Sequence, residues 1–292
     1  MAVTFRNFRL LCDNQPVYDF LCDIFSPDNA NGVMPPFVEY ALCSDWMDAS
    51  LCHRWGIWEE EGKMVGFCFT ENPRTDVYFC LRPGYEALAE EMVQYAAEHM
   101  QLAGEEQRLV IFEAQQAVLQ QAEKAGYYKE FGYTDYGYYY DRPFERKLPE
   151  GYRFTAPGEV DAAKADECCW KGFDHEAEEG PWDGDIESAL RLATAPHFTP
   201  ECAMAVVDEQ GNYACYGGMW WTEKNRLAYL EPLCTVPEHR KKGLAAALLS
   251  EMARRMREKG ATVMTGGGDI FYQKIGFKPL CTWSFWRKQK RM

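Results

Sequence analysis

Between Glu231 and Ala245 the chain reads Glu-Pro-Leu-Cys-Thr-Val-Pro-Glu-His-Arg-Lys-Lys-Gly-Leu-Ala. An apolar stretch, Leu227 to Thr235, has the composition of a strand and breaks at Pro237. Three cations follow in a row, Arg240, Lys241 and Lys242, then Gly243, then an alanine-rich amphipathic segment that opens with Leu244 and Ala245. In such a strand–turn–helix the backbone N–H groups of the turn converge on one point, and the helix dipole adds partial positive charge there. Glycine lets an anion approach the main chain closely. A pyrophosphate is the ligand that this arrangement suits. A solvated charged turn would account for the cations but not for the glycine and the helix start beside them.

A second group of residues lies downstream: Phe271-Tyr272-Gln273-Lys274-Ile275-Gly276-Phe277. The spacing Arg-x-x-Gly-x-Ala, at Arg240, Gly243 and Ala245, resembles the coenzyme-A loop of the GNAT superfamily of acyl-CoA-dependent N-acyltransferases. Tyr272 to Phe277 resembles the Tyr-x-x-x-Gly-Phe element of the same superfamily. A helix (Lys242 to Lys259) and a strand (Ala261 to Thr265) are expected between the two motifs, and their order strengthens the match.

The resemblance implies direct transfer of an acetyl group from acetyl-CoA to a primary amine of a small-molecule or peptide acceptor. Tyr272 is then the general acid that protonates the departing thiolate; without the resemblance it is a packing aromatic beside Phe271 and Phe277. Glu231, just before Pro232, is placed to deprotonate an ammonium or to hold it by charge. The backbone of Leu233, Cys234 and Thr235 is expected to bind the pantetheine arm, and Arg240, Lys241, Lys242, Gly243, Leu244 and Ala245 the pyrophosphate. Cys234 is not expected to be a nucleophile: His239 is the one histidine near it in sequence, and direct transfer needs no acyl-enzyme. The family's Asn-x-x-Ala is replaced here by Thr265-Gly266-Gly267-Gly268-Asp269. An acidic loop from Asp174 to Asp183 carries Trp182. It suits an amine by charge and cation–π contact, or is simply solvated.

The chain has 292 residues, 47% of them hydrophobic, which is material for two cored domains. A formal net charge of −14 argues against non-specific nucleic-acid binding and is compatible with a cationic substrate. The twelve cysteines lack Cys-x-x-Cys spacing and mostly sit in apolar runs, so buried reduced thiols are expected. The five histidines have no metal-ligand spacing, and no metal is expected. Met1 to Arg6 lacks a signal-peptide core, and no apolar run reaches membrane-spanning length. A cytoplasmic protein is expected, without membrane partners.

These site residues need elements to hold them. The charged segment Asp141 to Glu150, with Pro143 and Pro149, reads as a linker. Each side of it offers a similar order: strand, two helices, three antiparallel strands, helix, strand, helix, strand. Gly211-Asn212 and Glu61-Gly62-Lys63 mark the corresponding hairpins. Leu280 to Trp286 is expected as the last strand of the second half. Tyr128 to Tyr133 and Gly126-Tyr127 compete as the counterpart of Tyr272 to Phe277. The basic loop does not repeat: the first half has Leu81-Arg82-Pro83-Gly84-Tyr85-Glu86, with a proline lacking N–H and a carboxylate at the anion position.

The expected fold is therefore α+β, or α/β: two tandem GNAT-like domains, each a mixed, mostly antiparallel central sheet flanked by helices. Residues 1–145 form a degenerate copy and residues 146–292 the copy with the coenzyme site. A monomer is expected, the halves standing in for a dimer, with a homodimer as the alternative. The rival functions are a non-catalytic acyl-CoA or ligand sensor, and a transferase that uses a longer acyl or an aminoacyl donor.

Overall fold

In the computed structural model, which describes residues 2–288, the chain divides into two units. One comprises the residues up to Tyr136 together with those from Pro279 onward; the other runs from Gly137 to Lys278. The elements, in chain order, are β1 (Thr4–Asn7), α1 (Asn14–Ile24), α2 (Pro36–Cys43), β2 (Gly56–Glu60), β3 (Lys63–Thr70), β4 (Asp76–Leu81), α3 (Ala89–His99), β5 (Arg108–Phe112), α4 (Gln116–Lys124) and β6 (Tyr127–Tyr138). Then follow β7 (Arg153–Phe154), α5 (Ala162–Gly172), α6 (His175–Glu179), α7 (Glu187–Ala193), β8 (Met204–Val207), β9 (Tyr213–Thr222), β10 (Leu227–Thr235), α8 (Leu244–Lys259), β11 (Val263–Thr265), α9 (Ile270–Ile275) and β12 (Lys278–Lys288).

In the first unit the strand order is β1-β2-β3-β4-β5-β12-β6. β4 and β5 run parallel, while β1/β2, β2/β3, β3/β4 and β5/β12 are antiparallel. The hairpin between β2 and β3 turns where expected, with Glu61 and Gly62 both at positive φ (52° and 75°), the turn that matches strand twist. Trp55, Trp58, Phe67, Phe69 and Phe79 fill the core. Pairing of β4 with β5 stops at Tyr78↔Val110, and the chain itself closes the gap beyond. Leu81 N donates to Asn31 O (2.7 Å), and Gln115 Nε2 donates to Phe79 O (2.7 Å). The Asn31 segment lies so near β4 that a Cβ on Gly32 would sit 2.6 Å from Cys80 Sγ. At the turn after β4, Glu86 Oε1 accepts from Gly84 N (2.9 Å), so a carboxylate of the chain takes up that N–H.

In the second unit the order is β7-β8-β9-β10-β11, and Gly137 and Tyr138, the end of β6, pair with Thr265 and Met264 of β11. β10 and β11 are parallel; β7/β8, β8/β9 and β9/β10 are antiparallel. α8 lays Leu248 and Met252 on β9 at Gly217, where a Cβ would meet Met252 Sδ at 3.0 Å and Leu248 Cδ2 at 3.3 Å. Gly260, at φ 93°, ends the helix as its sequence position suggests.

Three expectations change. The division does not fall at 145/146, because β12 belongs to the first unit: its residues Trp283 to Arg287 pair antiparallel with Phe112 to Arg108, so it is not the last strand of the second half. The segment Asp141 to Glu150 is not a free linker. Phe144 is buried against Tyr138 and Phe277, and Ser250 Oγ donates to Phe144 O and accepts from Arg146 N (both 2.9 Å). Tyr128 to Tyr133 lies inside β6, so Gly126-Tyr127, one residue beyond the end of α4, holds the place that Gly276-Phe277 has after α9.

Trp286 is buried in the first unit's core with its Nε1 donating to Ser284 Oγ (2.8 Å). Trp286→Ala is expected to cost about 3–5 kcal/mol. By hydrogen exchange it should loosen Arg108–Phe112 and leave α8 protected; loosening of α8 instead would contradict the assignment of β12 to the first unit.

Candidate active site

The site lies wholly in the second unit and begins where two parallel strands part. β10 pairs with β11 at Leu227↔Val263 and Ala228↔Met264. Leu230 N then donates not to a carbonyl but to Thr265 Oγ1 (2.7 Å), which is buried. Past that bond β10 keeps a strand partner, β9, on one side only among the described residues.

The parting coincides with a bulge. Leu230 faces Met219 and Leu233 faces Gly217, so β10 gains one residue at Glu231-Pro232. Gly218 makes this possible: a Cβ there would lie 2.3 Å from Glu231 O and 2.8 Å from Pro232 Cδ. Trp220 Nε1 donates to the same Glu231 carbonyl (3.3 Å). The Glu231 side chain is half-buried at this bulge.

Beyond the bulge, Val236 N donates to Ala214 O (3.1 Å). Strand alternation therefore turns the backbone groups of Leu233 and Thr235 to the side away from β9. This is the edge that the sequence marks for the pantetheine. Cys234 points its side chain elsewhere, into the layer between sheet and α5, where it is buried.

The basic turn has the expected backbone. Lys241 (φ 62°) and Gly243 (φ 85°) are both left-handed, and Gly243 is the N-cap of α8. No side chain caps that helix among the described residues, and a Cβ on Gly243 would meet nothing within 4 Å. The first N–H groups of α8 thus open onto free space, a site suited to an anion. Leu244, buried, anchors the helix start, and Ala245 is half-buried beside it. Arg240 differs from the other two cations. Its guanidinium donates to Thr235 O (3.1 Å), to Gly172 O at the end of α5 (2.8 Å) and to Asp174 Oδ1 (2.9 Å), so it braces the turn. Lys242 Nζ lies 3.3 Å from Tyr152 Oη, which is 2.7 Å from His239 Nδ1. Lys241 and Lys242 are exposed.

Tyr272 sits in α9, a short helix whose start is held by Asp269 Oδ1 accepting from Phe271 N (2.6 Å). Its ring is nearly buried, between Phe271 and Phe277 (centroids 5.2 and 5.6 Å) and over the backbone of Gly267, where a Cβ would lie 3.1 Å from Cε2. Gly267, in the middle of the glycine run, therefore has a packing reason. Glu231 and the loop leading to Tyr272 leave the sheet at one point, the Leu230–Thr265 bond.

Sequence reasoning did not find Thr265, Gly218 or the thiols around Cys234. Its Sγ lies 3.7 Å from Cys168 Sγ and 3.8 Å from Cys169 Sγ. Hydrogen bonding among the three thiols lowers Cys234 well below the ordinary thiol range and raises Cys168 and Cys169 well above it. Burial pushes Cys215, on the facing strand, up to about 12. The signals were present as Gly217-Gly218 inside an apolar strand and the adjacent Cys168-Cys169. The acidic loop holds a turn of helix, α6, and Trp182 Nε1 donates to Asp166 Oδ2 (2.8 Å).

This parted strand, bulge and open helix start can be compared with known proteins. Residues 200–279 match the family described as Acetyltransferase (GNAT) domain. The matched residues run from just before β8 into the start of β12 and include Glu231, Leu233 to Thr235, Arg240 to Ala245, Thr265 and Tyr272. No curated protein matches the chain. Among solved structures, the chain is similar to a GCN5-related N-acetyltransferase from Sphaerobacter thermophilus (17% identity, 99% of this chain and 96% of that one, TM-score 0.61). It is also similar to a tandem GNAT protein from the clavulanic acid biosynthesis pathway (15%, 98% of each chain, TM-score 0.59) and to a GNAT-family acetyltransferase from Colwellia psychrerythraea (11%, 99% and 100%, TM-score 0.60). At these identities the likeness is one of fold, and it extends the GNAT fold over the whole chain, mixed and mostly antiparallel sheets flanked by helices. Acyl transfer is the chemistry that the GNAT match supports.

Thr265→Val keeps the shape of the side chain and removes the acceptor of Leu230 N. It is expected to cost about 1–3 kcal/mol of stability, measured by chemical denaturation. Thr265→Ser should restore most of it; equal losses in the two variants would show that the hydroxyl does not hold the strands at their parting.

Proposed function

We propose that the chain transfers an acetyl group from acetyl-CoA to a primary amine of a small molecule or peptide, by direct attack and with one coenzyme per chain. The observation that supports this best is the continuous run from the one-sided edge of β10 to the uncapped, open start of α8. An extended amide-bearing arm suits the first part and a pyrophosphate the second.

Each residue then has a role set by its surroundings. The backbone of Leu233 and Thr235 binds the pantetheine. Lys241, Lys242 and the N–H groups of Gly243, Leu244 and Ala245 take the pyrophosphate, while Arg240 holds the turn in shape. Charge-assisted hydrogen bonds of this type contribute on the order of 1.5–3 kcal/mol each. Glu231, half-buried where β10 bulges, takes the proton of the incoming ammonium or fixes it by charge. Tyr272, nearly buried and locked by Phe271, Phe277 and Gly267, gives its phenolic proton to the departing thiolate. In the first unit, Asn31 and Gln115 fill the matching gap and Glu86 takes the turn's N–H, which supports a single coenzyme site.

Titration calorimetry with acetyl-CoA is expected to give one-to-one binding by the native protein. Gly243→Glu, which adds a carboxylate and a left-handed penalty of about 1–2 kcal/mol, should abolish binding. Gly243→Ala carries the conformational cost alone and should bind more weakly than the native protein but measurably. Two sites per chain would contradict a closed first unit, and no binding at all would exclude the transferase. Once an amine acceptor is found, Tyr272→Phe should lower kcat by about 10²–10⁴ with coenzyme affinity little changed. An unchanged kcat would remove Tyr272 from the chemistry.

A further inference from the structure

The reaction has no use for Cys168, Cys169 or Cys234, yet their sulfurs touch. Cys234 Sγ lies 3.7 Å from Cys168 Sγ and 3.8 Å from Cys169 Sγ, and accepts and donates within the same group, with Cys168 O at 3.5 Å. The contact is enforced by backbone packing. The C-terminal turn of α5 lies so close to β10 that a Cβ on Gly172 would be 2.7 Å from Cys234 Cβ and 3.3 Å from Thr235 N. Arg240 clamps the same place through Gly172 O and Thr235 O. Cys168, although buried, lines a cavity of about 360 Å³ whose wall also includes Lys164, Glu167, Lys171, Tyr213, Asp208 and His239. A water-sized oxidant fits there.

We propose that Cys168 and Cys234 form a reversible disulfide when hydrogen peroxide enters this cavity, and that the bond weakens coenzyme binding. The cluster's first thiolate is on Cys234, which takes the Cys168 proton across their contact. The Cys168 thiolate attacks the near oxygen of the peroxide; the O–O bond breaks and hydroxide leaves, collecting the proton from Cys234 as water. Cys168 is now a sulfenic acid. The Cys234 thiolate attacks its sulfur, the S–O bond breaks, and the second hydroxide leaves to solvent. The two sulfurs are oxidised by two electrons in all, and the peroxide is reduced. Closing from 3.7 Å to a bond of about 2 Å draws β10 towards α5 at the residue between Leu233 and Thr235. Those two carry the edge proposed for the pantetheine, so the second clause rests on that function while the first does not.

The test uses the reduced full-length protein, treated with hydrogen peroxide without denaturant and then alkylated. Non-reducing trypsin digestion should join the peptide 165–171 to the peptide 227–240. Cys168→Ala and Cys234→Ala should each abolish that link, and Cys169→Ala should retain it. Its absence in the native protein, or its persistence in Cys168→Ala, overturns the disulfide. The oxidised protein should bind acetyl-CoA about tenfold more weakly, with recovery on adding dithiothreitol. Unchanged affinity in a protein that binds coenzyme when reduced overturns the regulatory clause. If the reduced protein binds no coenzyme, the proposed function fails and the regulatory clause with it, whatever the peptide map shows.

Discussion

The hydrogen bond from Leu230 N to Thr265 Oγ1 marks the constraint on which the site depends. Two parallel strands that stayed paired would leave no edge for a ligand's amides. Two that parted without compensation would leave a buried N–H unsatisfied, at a cost of about 1–3 kcal/mol. The threonine hydroxyl replaces the missing carbonyl, and the bulge at Glu231-Pro232 carries β10 away without breaking its pairing to β9. Gly218 has no side chain because the bulged backbone occupies that space. Glu231, the open edge and the turn before α8 all follow from this one departure.

The two units treat the same topological gap in opposite ways. In each, a parallel pair is joined through a helix and parts after a few residues. In the first unit the chain fills the opening with its own amide, peptide and carboxylate groups. In the second the edge stays open and the helix start uncapped among the described residues. The parted strands and the turn of the first unit are thus bonded within the chain, whereas those of the second are left open.

Much of this was legible in the sequence because local signals were strong. The strand Leu227 to Thr235, the helix to Lys259 and its end at Gly260 follow from apolar periodicity and glycine, and the turn at Lys241 to Gly243 from charge beside a helix start. What was not legible is what distant residues do to one another. Arg240 reads as an anion ligand from its neighbours, but its partners Gly172 and Asp174 are far away in sequence. Cys168, Cys169 and Cys234 each look like ordinary buried thiols until α5 is packed on β10. Thr265 is unremarkable without Leu230. The placing of β12 defeats any linear reading, because its alternation fits either sheet and pairing alone decides.

That last strand also sets an order of events in synthesis. Ser284 Oγ donates to Ile111 O across 173 residues of chain, and β12 lies between β5 and β6 in the first unit's sheet. Those neighbours are made long before it. A nascent chain leaving the ribosome therefore cannot close this sheet as its first half emerges; β5 and β6 wait, edges unpaired, while the whole second unit is translated. Long-range pairing of this kind is slow and exposes strand edges to association. The first unit is the earlier to be made and the later to be finished.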